Sequence, residues 1–275
     1  MSHLSSQATN VESAGGQLRR WRTLRGKSQL DLALDAGVSQ RHVSFVETGR
    51  SVPSRQMIVD LSDTLRIPLR ERNAIMTAAG YAATYRDAPL ADGAMRQVER
   101  AITRMLRVHE PFPALVLDRY WNVLETNSAA PKFFGRLIDL DAQQPKPRNL
   151  LRLLFDPNGL RPHLANWSQT SRALLDRFRR EAVGGVVDDG MRALLGELQA
   201  FPDVPRDGDA ANTDPSSAIV PIGFRVNGRT LNLFSMITTV CTPQSVTAEE
   251  LRLDTIFPVD DETECAYLEF VGEAK

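Results

Sequence analysis

Residues 28–47 read SQLDLALDAGVSQRHVSFVE, and this stretch decides the fold of the first third of the chain. Ser28 followed three positions later by Asp31 forms a capping box, in which each side chain satisfies an orphan amide of the other and starts a helix. Leu30, Ala33 and Leu34 follow at helical spacing and are expected to face a core. Gly37 supplies the left-handed backbone that ends this helix in a sharp turn, after which Val38 points inward. Ser39 then caps a second helix. On it Val43 and Val46 share one face, while Gln40, Arg41, Ser44 and Phe45 share the other. A glutamine amide matches the donor and acceptor of adenine, arginine matches the two acceptors of guanine, and an apolar ring meets a thymine methyl. Such residues are commonly just the solvated face of a helix. A glycine turn, two caps and a basic helix in front are together what docking a helix in the major groove requires.

The basic helix lies upstream, from about Gln17 to Arg25, with Leu18 and Trp21 one turn apart on the side expected to be buried. Arg19, Arg20, Arg22, Arg25 and Lys27 crowd it. The formal net charge of the chain is only −1, yet residues 1–80 hold 11 Lys and Arg against 7 Asp and Glu, a net of +4, and the remainder carries −5. Several of the helix-one cations are therefore expected to neutralise phosphate and release counterions. Downstream, Ser54 caps a fourth helix with Met57, Ile58, Leu61 and Leu65 at helical spacing. Pro68 interrupts, and Leu69 to Ala79 makes a fifth helix with Ile75 and Met76 inward. Five helices form a complete small domain, residues 16–80. Residues 1–15 are polar, without apolar period, and are expected to be a disordered tail.

This run resembles the lambda-repressor-like helix-turn-helix of the XRE family, whose pattern is S-Q-x-x-L-A-x-x-A-G-V-S-x-x-x-V-S-x-x-E-x-G-R-x-x-P. It is matched by Ser28, Gln29, Leu32, Ala33, Ala36, Gly37, Val38, Ser39, Val43, Ser44, Glu47, Gly49, Arg50 and Pro53. The resemblance implies that the second helix of the motif enters the major groove, that Gln40, Arg41 and Ser44 face base edges, and that Gln29, Ser39 and Arg50 hold phosphates. It also implies a largely buried ion pair between Arg22 and Glu47. Lys27 stands where an apolar residue is usual, and Phe45 is bulky for the reading face.

Beyond residue 80 the pattern changes. Residues 81–110 read as a linker and a connecting helix from about Ala94 to Val108, whose Met95, Val98, Ile102 and Met105 repeat three and four apart, the spacing of a helix packed on a neighbour. Ala114 to Leu117 and Trp121 to Thr126 are strand-like, joined by a hairpin at Asp118-Arg119-Tyr120, and Asn127 caps a helix through Phe134. Helices are expected near 149–155, 162–182 and 188–200, then a surface loop over 202–217. Four strands are expected to follow, at 218–226, 230–240, 251–257 and 265–270, the first two joined by Asn227-Gly228, both of which tolerate positive φ.

The segment PFPALVLDRYWNVLETN, residues 111–127, followed by Trp167 and Arg172, resembles the MmyB-like transcription regulators. That resemblance implies a PAS-like ligand-binding domain over 111–275, with a fatty acid or similar apolar effector as the implied ligand class. The fold class expected is thus α+β: an all-α five-helix lambda-repressor-like DNA-binding domain, then a PAS-like α/β sensor. Pockets of such domains are apolar with a few polar anchors. The candidate liners are Trp121, Phe133, Phe134, Trp167, Phe178, Phe224 and Phe234, with Arg172 or Arg179 to meet a ligand carboxylate. Aromatic side chains also fill ordinary cores, which is the competing account of each.

Other chemistries lack their residues. There is no G-x-S-x-G, H-E-x-x-H, Walker loop or dinucleotide fingerprint, so no enzyme is expected. Cys241 and Cys265 have neither zinc nor redox spacing and are expected to be reduced and near the core. The acidic run Asp260, Asp261, Glu262, Glu264 reads better as a solvated turn than as a cation site. A haem sensor would draw its axial ligand from His109, His163, Cys241 or Cys265; no cofactor or metal is expected. With no apolar run of about 18 residues and a polar N-terminus, a soluble cytoplasmic protein is expected. The expected function is a homodimeric, sequence-specific DNA-binding transcriptional regulator whose second domain binds a small, mostly apolar effector. The alternative is a DNA-tethered interaction protein whose second domain docks a protein partner.

Overall fold

A computed structural model describes residues 12–142, 147–182, 188–204 and 219–272. Most of the expected N-terminal tail and of the 202–217 loop therefore lies outside the described residues. The chain divides into two compact units. The first runs through Ala88 and takes in Pro243–Glu249; the second holds Pro89–Thr242 and Glu250 onward.

The first unit is built from α1 (Ala14–Leu24), α2 (Gln29–Asp35), α3 (Gln40–Glu47), α4 (Arg55–Thr64) and α5 (Leu69–Ala78). Each of the first four starts on a serine whose hydroxyl accepts an orphan amide: Ser13 from Gly16, Ser28 from Asp31, Ser39 from His42 and Ser54 from Met57. Ser28 and Asp31 complete the capping box, and those hydrogen bonds hold the Asp31 carboxyl below its ordinary value. Helix α1 begins three residues before the expected start, because Ser13 caps it and Ala14 and Gly15 are buried. The core joins Leu18 and Trp21 to Leu32, Ala33, Val43, Val46, Ile58, Leu61, Ile75 and Met76. On α2 the buried pair is Leu32 and Ala33. Leu30 and Leu34, expected inside, are 49% and 71% exposed, since this helix turns by only two turns and shows the core one narrow stripe.

Helix α5 has Pro68 at its N-cap and no side-chain cap of its own. Its Leu69 amide is met instead by the Glu249 carboxylate at 2.7 Å. Around it Val246 donates its amide to the Arg86 carbonyl at 2.8 Å, Thr247 donates its hydroxyl to the Ala88 carbonyl, and Val246 and Ala248 are buried. The first unit is thus completed by residues remote in sequence.

The second unit opens with a 3-10 turn (Gly93–Met95) and α6 (Arg96–Val108). Met95, Ile102 and Leu106 are its buried positions; Met105, expected in the seam, is exposed. A five-stranded antiparallel sheet follows in the order β2-β1-β5-β4-β3, from β1 (Ala114–Leu117), β2 (Val123–Thr126), β3 (Ile222–Val226), β4 (Arg229–Thr238) and β5 (Arg252–Pro258). This sheet is the β part of the α+β fold. Between β2 and β3 run α7 (Ala129–Phe134), α8 (Leu150–Phe155), α9 (Trp167–Arg180) and α10 (Asp189–Ala200). The short α11 (Val246–Glu250) precedes β5, and α12 (Asp261–Val271) closes the chain.

Asn127 does more than start α7. Its Oδ1 accepts from Ala130 and Ala114, and its Nδ2 donates to the carbonyls of Phe112 and Leu106, so one buried amide ties α6, β1 and α7 together. Asn227 and Gly228, at φ 49° and 79°, make the β3–β4 hairpin turn. Three expectations fail here. The last expected strand is α12, because Asp260 caps it by accepting from Thr263, Asp261, Glu262 and Glu264 suit its first turn, and Gly272 ends it at φ 81°. The same capping holds the Asp260 carboxyl below its ordinary value. Trp121 belongs to the turn before β2 rather than to the strand. Both cysteines are exposed, Cys241 just beyond β4 and Cys265 on the outer side of α12. Among the described residues no helix is long and apolar enough to cross a membrane.

Candidate nucleic-acid interface and ligand cavity

Helix α3 presents Gln40, Arg41 and His42 to solvent, with Ser44 and Phe45 half-buried. The Arg41 guanidinium lies 5.1 Å from the centre of the Phe45 ring and that of Arg50 lies 5.9 Å from it. Phe45 is therefore a platform between two cations rather than a free apolar contact. Beneath this face, Glu47 accepts from Arg22 Nε at 2.6 Å, Arg22 Nη2 at 2.9 Å and Gln29 Nε2 at 2.8 Å. The hydrogen bond to Glu47 leads the causes that raise the Arg22 pKa. The Arg22–Glu47 pair is as expected, whereas the Gln29 amide, expected at phosphate, has one of its donors committed to Glu47.

The other cations of α1 are also engaged within the fold. Arg25 donates to the carbonyls of Leu65 and Arg66 at the end of α4 and lies over Trp21, and Lys27 pairs with Asp35 at 2.6 Å. Arg20 lies near Glu12 and Glu71. The charge excess counted in sequence is thus largely structural, and Arg19, Arg41 and Arg50 are exposed.

In the second unit a cavity of about 590 Å³ lies between α9 and the β3–β4 hairpin, lined by Thr170, Leu174, Arg177, Arg180, Glu181, Ile222, Phe234 and Ser235 among others. A deeper void of about 30 Å³ shares Leu174, Arg177, Ile222, Phe234 and Ser235 with it, and reaches Trp121, Phe134, Phe224 and Asp254. A separate apolar cavity of about 270 Å³ lies between β1, β2, α7 and α8. The first is of the size that holds small molecules.

Of the seven aromatic candidate liners, Trp121, Phe134, Phe224 and Phe234 border these spaces. Phe133 and Phe178 are fully buried core. Trp167 packs edge-on to Phe155, lies under the Arg161 guanidinium and donates Nε1 to the Asp203 carbonyl. Arg172 is not among the residues that line the three cavities, and Arg179 pairs with Asp176 along its own helix.

Two arginines do reach the cavity, Arg177 and the exposed Arg180, and Arg177 is the one held by the protein's own carboxylates. It donates Nε to Glu181 at 2.5 Å, Nη1 to Ser235 at 2.6 Å and Nη2 to Asp254 at 2.9 Å, and lies 4.5 Å from the Trp121 ring centre. Burial works to lower its pKa, but the charges of Asp254 and Glu181 outweigh it and the result is raised. Burial pushes both carboxyls above their ordinary values, although Arg177 opposes it. Trp121 itself sits at φ 64°, a conformation that costs a bulky residue about 1–3 kcal/mol and that clusters at functional sites. A sequence signal for Arg177 existed: Thr170, Leu174 and Arg177 repeat at positions i, i+4 and i+7, so the arginine continues the buried stripe of α9.

A basic helix-turn-helix joined to a cavity-bearing antiparallel-sheet domain defines a DNA-binding transcription regulator with a ligand-binding domain. Residues 18–72 match the helix-turn-helix family model, and residues 98–268 match that of the MmyB-like transcription regulator ligand binding domain. The chain belongs to the MmyB-like transcription regulators. No curated protein matches it.

Proposed function

We propose that the protein binds its operator as a homodimer and that a small, mostly apolar effector in the cavity beside α9 modulates this binding. What carries the reading is the cavity of about 590 Å³ with the half-buried, ion-paired Arg177 on its wall, inside the segment matched by the ligand-binding family model. Gln40 and Arg41 read base edges, with Ser44 beside them. Ser39, Arg50 and the remaining donor of Gln29 hold phosphates, and Phe45 fixes the two arginines by stacking. Dimerisation follows from the reading of paired half-sites about one helical turn apart. A ligand changes operator affinity only if it favours one arrangement of the protein over another.

The test begins with native mass spectrometry of the full chain and selection of bound genomic fragments. A dimer carrying a small molecule, whose removal shifts operator affinity, is the expected result. A protein partner in its place would favour the tethered-interaction alternative. Operator affinity unaltered by removal of the small molecule would overturn the modulation.

A further inference from the structure

The polar floor of the α9 cavity has a direction, and it argues against the ligand carboxylate that Arg172 or Arg179 would have met. Arg177 already gives Nε, Nη1 and Nη2 to Glu181, Ser235 and Asp254, so three of its five N–H donors meet acceptors the protein supplies, and its charge is already balanced by two carboxylates. The unmet valence lies on the opposite partner. Asp254 is 2% exposed, and while its Oδ2 holds Arg177, its Oδ1 has no hydrogen-bond partner among the described residues. A buried carboxylate oxygen left unpaired costs far more than one supplied with a donor. Asp254 also borders the deep void that shares five residues with the large cavity, so a molecule entering beside Phe234 and Ile222 approaches it.

We propose that the effector is an amphiphile bearing a hydrogen-bond donor, an amine or a hydroxyl, which it brings to Asp254 Oδ1 while its apolar part lies against Leu174, Ile222, Phe224 and Phe234. This deepens the sensor reading and rests on it. Burial raises the Asp254 pKa, and a donor at Oδ1 restores part of the hydration that the carboxylate loses on folding. Among the described residues that line the cavity, an anionic ligand finds Arg180 at the exposed rim and Arg177 already paired, with Glu181 and Asp254 beside it disfavouring a carboxylate.

The test compares three probes of equal chain length, octylamine, 1-octanol and octanoate, titrated calorimetrically into the full-length protein. Octylamine or octanol should bind at least about tenfold more tightly than octanoate, the scale of one charge-assisted hydrogen bond. Asp254→Asn should remove that preference. Preference for octanoate overturns the inference and leaves the sensor reading standing, as does a donor preference that Asp254→Asn does not alter. Binding of none of the three overturns the inference and the apolar-effector reading together. If Asp254→Asn fails to fold, the ranking on the natural protein still decides, and Ile222→Trp, at a residue that lines both the cavity and the void, should abolish binding of all three; unchanged affinities would overturn the location.

Discussion

Glu47 is 7% exposed and its carboxylate takes three donors from two helices, while the Arg22 side chain opposite it is 13% exposed. Glu47→Ala leaves that guanidinium without its partner, and the first unit should lose about 3–5 kcal/mol, read as the fall in its urea midpoint. Arg41 and Arg50 flank the same ring yet should differ on DNA. Arg41→Ala is expected to cost about 1–3 kcal/mol of specific affinity and relax one base position, whereas Arg50→Ala should weaken all sequences alike and flatten the salt slope. A binding-site selection at two salt concentrations separates them. In the second unit, Glu181 has its pKa raised above the ordinary 4.5, chiefly by burial. A carboxyl raised in the folded state binds more protons there than unfolded. Its contribution to stability is therefore complete below 4.5 and is lost as pH rises through the raised value. Glu181→Gln removes this titration, so its melting temperature should decline less than the parent's as mildly acidic buffer gives way to neutral; parallel curves would refute the assignment.

Among the elements, α1 and α3 come so close at Gly15 that a Cβ there would meet the Val46 carbonyl oxygen, with its carbon 2.9 Å away and the Glu47 Cα 3.3 Å away. These are backbone atoms and have no rotamer to change. Gly15→Ala should force the helices apart at a cost of about 1–3 kcal/mol, checked by thermal melting and by operator binding. This position also marks where sequence reading stopped. Caps, glycine turns and helical spacing are local signals, so the helix-turn-helix and the Asn227-Gly228 hairpin were legible in advance, whereas the Arg22–Glu47 pair was implied by the family resemblance alone. The polar residues before Gln17 hid a buried helix start, because small residues chosen for close approach carry no hydrophobic period. Likewise 265–270 alternates like a strand, and only the acidic cap at Asp260 turns it into α12. In the second unit, four of the seven aromatic candidates border cavities and the others pack elsewhere, because aromatic side chains fill cores and line cavities alike. The working arginine was missed because burial on α9 depends on which face meets β4, and that is a property of the tertiary fold.

Taken as a whole molecule, the chain leaves the second unit after Thr242, lends Pro243–Glu249 to the first, and returns at Glu250 into β5, the strand that carries Asp254. The loan of 243–249 is a covalent tie between the units, and Glu249 lies three residues before the start of β5. Residues 1–88 expressed alone should melt below the same unit in the full chain, since the Leu69 amide loses Glu249 and the groove loses Val246 and Ala248. The cap alone is worth about 1 kcal/mol. Equal melting temperatures would mean that the borrowed segment contributes nothing. The arrangement has a consequence for how the protein comes off the ribosome: the DNA-binding unit, although encoded first, gains its Leu69 cap and the packing of Val246 and Ala248 only when nearly the entire polypeptide has been synthesised, so a message truncated before codon 243 should yield a reader less stable than the one in the full chain.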